Sequence, residues 1–216
     1  LEQLLAIGET AERLSLLGSY WKRMALLKAR PRGLPDVDAC IVGFKEAYGR
    51  AVELSYRRDG TRDYYPLLNA LDGAFLAAAR GTGEAMPAER VRELADAAAA
   101  DARSRFAAER SFFHAVAEID AQRVCAQWAG LAGRQGDGPI TRPDVQQALA
   151  ARYCELVRRM GSRREQDSTL RQLRDVAALL PAQGAGRAIA AALSWIAERL
   201  SACESGPGTP SPLRSA

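Results

Sequence analysis

The side chains best suited to chemistry are few and scattered. His114 is the only histidine in the 216-residue chain. Cys125 follows about three helical turns later and can share a face with it. One histidine and one cysteine on one helix fall short of the convergent ligands that a metal or acid–base site needs. Glu118 and Asp120 lie nearby in sequence without the paired setting that hydrolysis requires. Gly81-Thr82-Gly83 and the glycines between 130 and 139 are not followed by the lysine and hydroxyl residue of a phosphate-binding loop. The expectation is a protein with no catalytic residues, no metal and no cofactor, and therefore not an enzyme. The cysteines at 40, 125, 154 and 203 form no closely spaced pair, and a chain of this size does not depend on disulfide staples. They are read as free buried thiols in a reducing cytoplasm.

Whatever the chain does must then rest on the elements that present its side chains. Apolar residues make up 48% and aromatics only 6%, with alanine abundant, which favours closely packed helices over a β-sandwich. Few segments alternate with the two-residue period of a strand, and none makes a convincing one. The net charge is +4, and apart from Lys22, Lys28 and Lys45 every basic residue is arginine. Arginine and alanine in such excess suggest a GC-rich, bacterial genome. The basic residues are dispersed, and the densest clusters, Arg57-Arg58 and Arg163-Arg164, sit beside acids. This argues against the basic stripe of a nucleic-acid binder. No apolar run reaches the length of a membrane span, and no signal peptide opens the chain. The chain starts at Leu1 without a methionine, which suggests a domain of a longer, cytoplasmic protein.

Helical periodicity predicts eight helices. The first spans Leu4 to Lys28, with Thr10 as N-cap of its main part and Leu14, Leu17, Trp21 and Met24 on one face. Gly18, in mid-helix, marks a close crossing by another helix. The second runs from Asp36 to Arg57 with Ile41, Phe44, Tyr48, Ala51 and Leu54 inward. The third starts near Asp63 and carries Tyr65, Leu68 and Leu71. The fourth covers Pro87 to Ala108. The fifth covers Ser111 to Ala129, with Phe113, Val116 and Val124 buried. The sixth begins at Thr141 and reaches Met160. The seventh begins at Ser168 or Thr169 and ends before Pro181. The last, Ala185 to Cys203, carries Ile189, Leu193, Ile196 and Leu200. That stripe suits a helix capping the array, or alternatively a surface for homo-oligomerisation. The prolines, glycines and serines after Glu204 predict a disordered tail over 204–216.

A repeat runs through this pattern. Leu14, Leu17, Gly18 and Trp21 occupy the first-helix positions of a tetratricopeptide repeat. Tyr65, Leu68, Asn69 and Asp72 stand in the same places, and so do Phe113, Val116, Ala117 and Asp120. Tyr48 and Ala51 match the second-helix pattern. The units recur about every 50 residues, longer than the usual 34 or so. Three stretches, Gly8 to Arg23, Tyr48 to Ala70 and Asp167 to Leu173, together resemble the tetratricopeptide-like TRAFs-binding domain. That domain is found in the regulatory region of apoptosis-signal-regulating kinases and in bacterial signalling and conflict proteins. The resemblance extends over about 8 to 180. It implies an all-α, right-handed solenoid of antiparallel helix pairs over 1–182, with 183–203 as capping helix, that docks a protein partner or regulates an attached effector.

In such a solenoid the first helix of each pair lines the concave surface. The outward positions are Glu12, Ser15, Ser19, Lys22 and Arg23 on the first helix, Asp63 and Asn69 on the third, and His114, Glu118 and Gln122 on the fifth. These form the expected partner-binding groove. The alternative is a ligand-sensing or enzymatic pocket in the same groove around His114, Glu118 and Asn69. Asn69 is expected to bond a backbone group of the neighbouring helix. Neither nucleic acid nor membrane is expected as a partner.

Overall fold

A computed structural model describes residues 8–29, 36–132 and 138–204. Among them are eight α-helices: α1 (Ala11–Lys28), α2 (Val37–Asp59), α3 (Tyr64–Ala79), α4 (Ala88–Ala108), α5 (Phe112–Ala132), α6 (Pro143–Met160), α7 (Arg163–Leu179) and α8 (Gly184–Ser201). A single 3-10 turn, Pro139–Thr141, precedes α6. The described residues contain no strand. The all-helical expectation holds, and the helices pack as antiparallel neighbours in the manner of a helical repeat. No described helix is long and apolar enough to cross a membrane. The expected tail and the start proposed at Leu4 lie outside the described residues.

Local chemistry sets the helix ends. Thr10 Oγ1 accepts a hydrogen bond from the Arg13 amide at 3.2 Å, and Asp63 Oδ1 accepts one from the Tyr65 amide at 3.1 Å. Helix α2 ends where Gly60 turns left-handed at φ 68°, a conformation that glycine adopts without the penalty of a Cβ. Helix α7 starts at Arg163, five or six residues before the expected start at Ser168 or Thr169. Ser162 and Glu165 form a reciprocal capping box, with bonds of 2.7 and 3.3 Å. Thr169 instead bonds back to the Glu165 carbonyl inside the helix.

Small residues let the first three helices approach closely. A Cβ at Gly18 would overlap the Tyr48 ring. At Gly73 it would stand 2.9 Å from the Lys45 Cα. The close crossing inferred at Gly18 is therefore real, and α2 is the helix that crosses there. Helix α2 packs on both α1 and α3, while α4 pairs with α5, and α8 with α7 and α6. One continuous core joins them, from Phe44 and Tyr48 through Phe75 and Phe112 to Leu173 and Ile196.

The helices curve until α7 meets α1 and α3. Lys22 of α1 donates a hydrogen bond to Gln172 of α7 and pairs with Asp175 at 3.5 Å. Gln172 in turn donates to Asp72 of α3 at 2.8 Å. At the far end, Arg80 donates to the Leu179 carbonyl at 3.2 Å and pairs with Asp38. Helix α7 is thereby fastened to the first half of the chain.

The stripe on α8 is fully used inside the chain. Ile189, Leu193, Ile196 and Leu200 are each 0% exposed, so they cover the array and offer nothing to a second copy. Buried Gln166 donates to the carbonyls of Leu200 and Cys203 at 2.7 and 2.8 Å, satisfying the end of α8. The cysteine expectation needs correction here. Cys154 and Cys203 form a disulfide, their Cα atoms 5.8 Å apart, because α8 folds back along α6 and brings its end onto that helix. Cys40 and Cys125 are free, and burial raises the Cys125 thiol above its ordinary pKa.

Candidate functional site

A groove of about 590 Å³ runs between α1, α3, α5 and α7. Each helix contributes positions three and four apart, the spacing that aligns side chains on one face. Helix α1 gives Ser19, Lys22, Arg23 and Leu26; α3 gives Tyr64, Tyr65, Leu68 and Asn69. Helix α5 gives Phe113, Val116, Ala117, Asp120 and Arg123, and α7 gives Ser168, Arg171, Gln172 and Asp175.

Of the predicted groove residues, Ser19, Lys22, Arg23 and Asn69 therefore line it. Glu12, Ser15 and Asp63 line a separate recess of about 330 Å³ between α1 and the start of α3, which Ser19 also borders. Asp63 is occupied there as the cap of α3 and as a partner of Arg105 at 3.4 Å. His114, Glu118 and Gln122 do not line the groove. His114 stacks edge-on against Tyr64, with Nδ1 3.1 Å from the Glu109 carbonyl oxygen. Glu118 pairs with Arg103 at 3.1 Å, and Gln122 accepts from Arg152.

The error on α5 has one source. Periodicity places Phe113 inward, whereas Phe112 is the core aromatic and Phe113 is exposed in the groove. One residue turns a helix by about 100°, so His114, Glu118 and Gln122 fall beside the groove, while Val116 and Val124 are buried as expected. The adjacent pair Phe112-Phe113 left the choice open in sequence. Asn69 also differs from expectation, since its amide donates at 2.9 Å to the Tyr65 carbonyl of its own helix.

The floor of the groove is ionic, a feature the sequence reading missed. Arg123 is almost wholly buried, and its guanidinium meets both carboxylate oxygens of Asp72 at 3.0 Å. Its Nε donates to Asp120 at 3.2 Å, and Nη1 also donates to Gln127 at 2.7 Å. Tyr153 of α6 donates to Asp120 at 2.6 Å. Burial works against the charge of Arg123, but Asp72 and Asp120 outweigh it and hold its pKa well above the ordinary value. Burial raises Asp120, opposed by Arg123 and Tyr153. Burial lowers Lys22 despite Asp175 and Asp72. A shared hydrogen bond of 2.8 Å joins Tyr48 to Ser19, and a longer one of 3.3 Å joins it to Tyr65. Burial raises Tyr48 as well.

This network fixes five helices, α1, α3, α5, α6 and α7, to one another. Its members are committed to each other, which makes them positioning groups. The more accessible groups lie above them. Tyr65 and Phe113 are exposed, Tyr65 keeping its hydroxyl on Tyr48, and Arg23 and Arg171 make no ion pair among the described residues. No group of three or more metal-ligating side chains is assembled among the described residues.

No family model, curated protein or solved structure matches this chain.

Proposed function

We propose that the chain is a protein-interaction and regulatory module whose groove receives a segment of a partner protein. One observation carries this reading. Exposed Tyr65 and Phe113, with Arg171, stand over a floor whose charged groups are already paired. Aromatic and arginine side chains on a rigid support are the groups that dominate protein interfaces. A helical segment in a helix-lined groove is the fitting occupant. The likeness to the TRAFs-binding domain supports the finer reading of a right-handed, tetratricopeptide-like solenoid within a larger bacterial signalling or conflict protein.

The groove volume also falls in the range of small-molecule sites, roughly 300–1,000 Å³. A ligand-sensing pocket is therefore the second reading. One experiment separates the two. The purified chain is used to capture partners from lysate of its source organism, beside a Tyr65→Ala/Phe113→Ala/Arg171→Glu variant, with mass spectrometry of proteins and metabolites. The variant alters exposed side chains and should melt with the wild type. Proteins captured by the wild type and lost from the variant are the expected outcome. A metabolite lost from the variant, with no protein lost, supports the sensor and sinks the interaction reading.

A further inference from the structure

One edge of α1 carries a stripe that the described residues leave largely exposed, Leu16 bordering the recess beside α3 and Arg23 the rim of the groove. Leu16, Tyr20 and Leu27 are 59, 41 and 52% exposed, and Arg23 stands exposed among them. At 100° per residue these four lie within about 60° of arc. They face away from Leu14, Gly18 and Ala25, which pack toward α2. Half-buried Leu17 and Met24 widen the apolar strip on one side. This is the open end of the array, the place where a helical repeat needs a covering surface. At the opposite end α8 supplies that cover; at this end none is present among the described residues.

The order of the stripe identifies what fits it. Leucine, tyrosine, arginine and leucine follow at spacings of four, three and four residues. That spacing reads the same in both directions. We infer that α1 pairs antiparallel with α1 of a second copy of this chain. In that register Leu16 lies on Leu27 of the second copy, and Leu27 on its Leu16. Tyr20 meets Arg23 of the second copy, and the two-fold axis repeats each contact, as an isologous interface requires. A guanidinium over an aromatic ring is an arrangement this protein already uses: Arg62 lies over Tyr56 at 5.3 Å and Arg199 over Trp195 at 5.1 Å. What is self-complementary is the placing of Tyr20 against Arg23 and of leucine against leucine. The stripe shares only Arg23 with the groove, whose decisive side chains Tyr65, Phe113 and Arg171 lie on other helices.

The test is sedimentation equilibrium of the full chain from micromolar to near-millimolar concentration. The wild type should show a concentration-dependent dimer. Leu16→Glu/Leu27→Glu should be monomeric throughout with an unchanged melting curve, because both side chains are exposed in the monomer. Tyr20→Arg puts cation against cation twice and should weaken the dimer about ten-fold or more. Adding Arg23→Tyr to it restores the tyrosine–arginine pairs and should restore the affinity. A wild type that stays monomeric overturns the inference. So does a dimer that survives the double glutamate change, or a Tyr20→Arg/Arg23→Tyr chain no tighter than Tyr20→Arg alone.

Discussion

Replacing Arg123 by methionine tests the central argument about the groove floor. The guanidinium makes two bonds to Asp72, one to Asp120 and one to Gln127, and is about 1% exposed. Methionine fills much of the space but leaves the Asp72 carboxylate buried with only Gln172 as partner. Breaking a buried ion pair on one side costs about 3–5 kcal/mol, mostly from the stranded charge. In a chain of this size that lowers the melting temperature by roughly 6–20 °C. Arg123→Met/Asp72→Leu removes the stranded charge and should recover a large part of the loss. Urea denaturation followed by far-UV circular dichroism reads both variants, with an unchanged m-value showing that the same unit unfolds. If Arg123→Met costs less than 1 kcal/mol, or if the double change is as costly as the sum of the single ones, the network does not hold the helices together as argued.

Reducing the Cys154–Cys203 disulfide opens a crosslink spanning 49 residues of sequence. Loop-closure entropy gives a loss of about 4 kcal/mol, to be read as a lower urea midpoint with reductant, matched by Cys154→Ala/Cys203→Ala without it. Gly18→Ala should destabilise despite the better helix propensity of alanine, because its Cβ overlaps Tyr48. Gly49→Ala, with no atom within 4 Å of the added Cβ, should instead stabilise by about 0.5–1 kcal/mol, and paired thermal melts decide between these signs. Lys22 is held below its ordinary pKa, chiefly by burial, so the unfolded chain binds its proton more strongly. Stability should therefore rise with pH as the ordinary lysine value of about 10.4 is approached from below. Lys22→Met should flatten that slope, as seen in urea midpoints across alkaline pH.

Periodicity made most of the helices legible, since their buried faces recur at three and four residues. Glycine in mid-helix correctly marked a crossing. Burial on α5 was less legible, because Phe112 and Phe113 are equally apolar and only the partner helices decide which turns inward. The start of α7 was readable from Ser162 and Glu165, but Ser168 and Thr169 offered a second cap of the same chemistry. The ionic floor was hidden for a different reason. Asp72, Arg123 and Gln172 look like solvated surface residues in their own helices. They become a buried cluster only when three distant helices converge, and no local pattern announces that. The disulfide was hidden in the same way, by two helices whose meeting depends on the path of α8.

The contact between Lys22 and Gln172 spans 150 residues of sequence. In an open repeat array each unit touches only its neighbours, and folding can spread from any point. Here the first helix must wait for the seventh. A ribosome adding roughly 5–20 residues per second needs on the order of ten seconds to supply Gln172 after Lys22 has been made. Through that interval Asp72 lacks the Gln172 amide and Lys22 lacks both of its partners. The groove is thus assembled last, and a truncated product ending before α7 lacks one of its walls.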